Sequence, residues 1–182
     1  MNNDLKLKLE EVILKTLFYR LTLAIVAGLA LTCSGLAQSH RPNTDNPDAH
    51  LSDETRKELA RARQATTQFH DVEQALKDQY EDLNLFVPGQ GFHFLNRSLL
   101  NGTFDPEKPQ ILVYAPTSRG RLRLVALEYA VPVDLSPDAP AGFTGDNDKW
   151  HIETAFGLWV LHAWVWQANP NGIFADFNPN VP

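Results

Sequence analysis

Three histidines and one glutamate fall on segments that read as β-strands. His93 lies in GFHFLN (91–96), Glu128 in RLRLVALEYAVP (121–132), His151 in HIE (151–153) and His162 in LWVLHAWVW (158–166). Neutral imidazole together with carboxylate is a ligand set suited to zinc, copper, manganese or iron. The expected site is therefore a divalent metal held by His93, Glu128 and His162, with His151 as a further member. The spacing permits such a site without requiring it, because no HExxH helix motif is present. A competing reading keeps His162 as a core histidine bonded to Glu128 or to a backbone carbonyl. Glu128 could equally form a buried ion pair with an arginine.

Side chains alternate between the two faces of a strand. By that count Glu128 shares a face with Leu122, Leu124, Ala126 and Ala130, and His162 shares one with Leu158, Val160, Trp164 and Trp166. His93 points away from Phe92 and Phe94. A carboxylate on an apolar face costs several kcal/mol if unpaired, and each nitrogen of a buried imidazole needs a partner. Either water reaches Glu128 or something positive meets it. A third reading is a small apolar ligand. Phe92, Phe94, Tyr129, Trp164 and Trp166 would then line its pocket, with Glu128 and His162 orienting a polar group.

The elements that must position these residues follow from periodicity. Residues 52–83 read as one long helix. Ser52 is a good N-cap, Asp53 and Glu54 occupy the first turn, and an apolar stripe runs from Leu59 to Leu83 at spacings of three and four. After Pro88 the pattern changes to short strands at 91–96, 111–116, 121–132 and 158–166. TSRG (117–120) turns the middle pair into a hairpin. The fold class is α+β, with one long N-terminal helix of the domain packed on an antiparallel sheet of about four strands.

The start of the chain reads differently. Arg20 precedes the uncharged run LTLAIVAGLALT (21–32), and Gly35 and Ala37 stand at −3 and −1 of a cut before Gln38. This is the pattern of a secretory signal, and the run falls short of the ~20 apolar residues of a membrane span. The expected organisation is a signal peptide over 1–37, a flexible linker over 38–51 and a single domain over 52–182. The protein would be periplasmic or secreted, with no integral span after cleavage. Cys33 offers a lipoprotein alternative, but Leu31 and Thr32 match that signal poorly.

Removing residues 1–37 leaves 145 residues with 12 basic and 19 acidic side chains, a net charge of −7, and no cysteine. The acidic balance excludes a nucleic-acid partner, which requires clustered Lys and Arg. Loss of Cys33 excludes a cysteine nucleophile, and neither GxSxG nor a phosphate-binding glycine loop occurs. No protein partner is indicated.

Four segments, ARQATTQFHDVEQALKDQY, GFHFLN, RLRLVALEYAVP and LHAWVWQANPNGIFADFNPNV, together resemble a family of small exported bacterial proteins of uncharacterised function. The shared pattern is GxHxxN, LEY and LHxWxWxxNP, matched here by His93, Glu128, Tyr129, His162, Trp164, Asn169 and Pro170. The resemblance implies the helix-then-sheet order and an exported location. It implies no activity.

Overall fold

Ser52 starts the first helix: its side chain accepts a hydrogen bond from Thr55 N, with Asp53 and Glu54 in the turn that follows. In the computed structural model, which describes residues 46–182, this helix is α1, Asp53–Thr66. The signal peptide, Cys33 and most of the expected linker lie outside the described residues. The compact unit begins at Asn46. Asp48 Oδ1 accepts from Ile173 N at 2.8 Å, and its carbonyl accepts from Arg56. Residues 46–51 are thus tied to the domain.

The expected continuous helix over 52–83 is not what forms. The α1 helix ends at Thr66, a 3₁₀ turn covers Thr67–His70, and a second short helix, α2, spans Val72–Lys77. Two adjacent threonines explain the break. Thr66 Oγ1 donates to Ala62 O and Thr67 Oγ1 donates to Arg63 O, and such back-bonding competes with helical hydrogen bonding. Asp71 then caps α2 by accepting from Glu73 N. The helix also lies inside the chain rather than at its N-terminus.

The sheet has six strands, not four. They are β1 (Glu81–Val87), β2 (Gly91–Leu95), β3 (Ile111–Pro116), β4 (Leu122–Pro132), β5 (His151–Glu153) and β6 (Leu158–Ala163). The order is β1-β2-β3-β4-β6-β5, every neighbouring pair is antiparallel, and the sheet is curled. Strand β1 starts just after Tyr80 and contains Leu83, the two residues that continue the helical spacing. Gln79, with φ 69°, turns the chain out of α2 and into it. The α+β class stands.

Both faces of the sheet are covered. Leu59, Ala62 and Phe69 pack on Leu112, Tyr114, Leu127, Tyr129 and Leu161 on one face. Tyr114 locks this layer by donating its hydroxyl to Phe69 O at 2.7 Å. Each fully buried leucine or valine here stabilises by about 1.5–3 kcal/mol. The other face carries Leu95, Ile111, Val113, Ala126, Val160 and Trp164, with Val181 of the C-terminal tail among them. The tail is held by backbone bonds from Trp164 N to Ile173 O, Asn178 N to Gly89 O and Gly89 N to Pro182 O.

A bulge changes the expected faces of β4. Its register against β3 shifts where Val113 opposes Ala126 and Tyr114 opposes Leu124. Val125 and Ala126 consequently both belong to the tail-side core, while Leu124 joins the helix-side core. Glu128 shares its face with Ala126 and Ala130 but not with Leu124. Among the described residues, no helix is long and apolar enough to cross a membrane.

Candidate metal centre

His93, Glu128 and His162 come from β2, β4 and β6, all on the tail side of the sheet. His93 sits opposite Val113, while Phe92 and Phe94 pack toward the helices. Glu128 lies directly opposite His162 on one side and Ile111 on the other. Gly91 makes the approach of β2 possible. It has φ +123°, and a Cβ there would lie 2.3 Å from Tyr114 O.

Strands β2 and β6 are three spacings apart, about 14 Å on a flat sheet. The curl and the inward lean of the side chains bring the two imidazole centroids to 6.5 Å. One ligand atom from each of His93, Glu128 and His162 lies within 4.8 Å of the others. Glu128 Oε2 is 3.4 Å from His93 Nε2 and 3.8 Å from His162 Nε2. A charge-assisted hydrogen bond would be 2.7–2.9 Å, so the groups face one another without closing.

Burial makes this arrangement expensive. The three residues are 4 %, 6 % and 1 % exposed in chain order. Glu128 Oε2 and both ring nitrogens of His162 have no hydrogen-bond partner, and each such atom costs about 1–3 kcal/mol. His93 is better placed, with Nδ1 3.4 Å from Leu85 O. The His162 ring stacks on Trp164, with centroids 6.1 Å apart and planes 13° apart.

The electrostatics follow from desolvation. Burial lowers His93 to about 4, opposed by backbone hydrogen bonds at Leu85 and Gly91. Burial lowers His162 to about 3, reinforced by His93 and His151. Burial raises Glu128 to about 8, reinforced by Glu153 and Asp176. At pH 7 the cluster is therefore uncharged, with the acid proton on Glu128.

His151 is not drawn into this cluster. It sits opposite Val160 on the edge strand β5, so it approaches His162 from the side away from Glu128. Its Nδ1 faces Asp176 Oδ1 at 3.3 Å. Asp176 was not evident from sequence, because the tail has no periodicity to mark it.

The five aromatics expected in one pocket do not share a surface. Phe92, Phe94, Tyr129 and Trp166 belong to the helix side and Trp164 to the tail side. Strand β6 ends at Ala163, so Trp164 and Trp166 lie beyond it and pack in different core layers. Trp166 instead donates to Thr66 Oγ1 and carries the Arg63 guanidinium 4.7 Å above its ring. Both tryptophans border a groove of about 580 Å³ that also touches Asp48, Arg63, Asn169 and Ile173.

Comparison with family models, curated proteins and solved structures returns no match.

Proposed function

We propose that this chain is an exported protein that binds one divalent metal ion through His93, Glu128 and His162. One observation carries the reading. Three buried side chains from three strands converge within 4.8 Å, while three of their polar atoms lack any hydrogen-bond partner. An ion between the strands would satisfy Glu128 Oε2 and one ring nitrogen of His162, with His93 as the third ligand. Tetrahedral zinc with bonds near 2.0–2.1 Å sets its ligand atoms about 3.4 Å apart. The two separations from Glu128 Oε2, 3.4 and 3.8 Å, need little contraction to reach that.

Two imidazoles and one carboxylate suit zinc, manganese, copper or iron. With the three side chains at most 8 % exposed, little surface remains for a substrate, which favours binding over turnover. The exported location rests on the residues 20–37 pattern.

A second reading has its own support. Glu128 raised to about 8 can keep its proton and sit neutral between two neutral histidines. The cluster would then be a polar element of the core with no ligand. The apolar-ligand reading has less support, because Phe92, Phe94 and Tyr129 pack in the helix-side core while only Trp164 and Trp166 of the five border the groove beside Arg63.

Elemental analysis of the full chain, purified without a histidine tag and reconstituted with zinc, copper or manganese, decides between them. One ion per chain in the wild type, and none in a folded His162→Ala variant, supports the metal reading. No ion in the wild type refutes it.

A further inference from the structure

Beyond the buried cluster, one more pair of inward-facing ligand atoms lies on the same face of the sheet. His151 and Asp176 have side chains 40 % and 38 % exposed, yet the atoms they turn toward each other, Nδ1 and Oδ1, are buried and have no hydrogen-bond partner. Each residue thus touches solvent on one side and presents a ligand atom inward on the other. The separation of 3.3 Å is close to the spacing that a single ion imposes on two ligands.

The register sets the relation to the buried site. His151 opposes Val160, and His162 follows two residues later on the same strand face. That is a diagonal neighbour, about 7–8 Å away between strands. Asp176 is brought over this spot by the tail. Trp164 N donates to Ile173 O and the Trp164 indole donates to Ala175 O. Trp164 also stacks on His162. The same tryptophan therefore positions both the outer carboxylate and the inner imidazole. Glu153 lies on β5, two residues beyond His151 on the same face, and adds negative charge there.

We infer that His151 and Asp176 form an outer cation subsite, the port through which a divalent metal enters the buried His93–Glu128–His162 site. The inference rests on the metal-binding reading above. Two ligands hold an ion weakly, as a transfer point requires, and three hold it more firmly. Negative charge at the mouth raises the local cation concentration and the rate of capture.

Loading of the untagged full chain with Co²⁺, followed by its visible absorption after rapid mixing, tests the port. Asp176→Asn and His151→Gln are compared singly with the wild type. Both residues are near 40 % exposed, so neither change removes core. Capture through the port is expected to slow loading by about tenfold or more in each variant. Asp176→Asn is also expected to flatten the fall of the loading rate with ionic strength that the wild type shows. A pair that merely latches the tail would do the reverse, because releasing the latch would speed loading. Loading at or above the wild-type rate in both variants overturns the port and leaves the metal site standing. A wild-type chain that takes up no Co²⁺ overturns both.

Discussion

Displacement of a proton from Glu128 is the sharpest test of the buried centre. Burial holds this carboxyl at about 8, against an ordinary value of 4.5. At pH 7 a group with that pKa is about nine-tenths protonated. A metal needs the carboxylate, so each ion bound at pH 7 should release about 0.9 of a proton from Glu128. The two histidines, lowered to about 4 and about 3, are already neutral and release none. The sign follows directly: affinity rises with pH while Glu128 is protonated and levels off above about 8. Between pH 6 and 7 the dissociation constant should fall about tenfold. Isothermal titration calorimetry with Zn²⁺ in two buffers of different ionisation enthalpy counts the protons. Glu128→Gln should abolish the release and most of the affinity. Stoichiometric binding with no proton release at pH 7 would refute the reasoning, because Glu128 would be either ionised beforehand or not a ligand.

Two further outcomes follow from the same structure. In the presence of chelator, stability should be greatest near pH 6.5. The folded chain holds the Glu128 proton more tightly than the unfolded chain, so this contribution is present below 4.5 and is lost as pH rises through about 8. His93 and His162 act in the opposite sense: their contribution is present above 6.5 and is lost as pH falls toward about 4 and about 3. Asp148, raised to about 6 mainly by burial, flattens the acid side. Denaturant titrations across pH should lose about 1.4 kcal/mol per unit from pH 6.5 to 8; a flat profile there contradicts an uncharged Glu128. Separately, Gly91→Ala should cost about 3 kcal/mol or more, because its Cβ would meet Tyr114 O at 2.3 Å in a conformation that side chains avoid. A loss below about 1 kcal/mol would mean that β2 and β3 can separate without penalty.

The candidate ligands were legible because alternation along a strand is a strong constraint. His93 between two phenylalanines, and His162 within an apolar run, could be assigned faces without knowing the sheet order. For Glu128 the expected face neighbours are partly wrong: Ala126 and Ala130 share its face, but Leu124 does not. Counting from Leu122 ignores the bulge at Val125, where two consecutive residues turn the same way, and no residue type announces a bulge. The helix boundary failed on a local competition. Thr66 and Thr67 bond back to the preceding turn, while the apolar spacing runs on through Tyr80 and Leu83 as though nothing had changed. Strand β1 was hidden by that continuation, with its own irregularity at Asn84, φ 53°. His151 stands out as a candidate ligand in sequence, but the strand order that sends it toward Asp176 rather than Glu128 depends on long-range pairing.

The centre draws its ligands from strands scattered across the whole domain, and this governs when an ion can bind. An extended chain carries His93, Glu128 and His162 far apart, and closing loops of that length around one ion is entropically opposed until the sheet has paired them. On the metal-binding reading, an ion would join only the paired sheet and would not seed folding. In vivo occupancy would then report the free metal pool that the folded chain meets, rather than the order of intrinsic affinities alone.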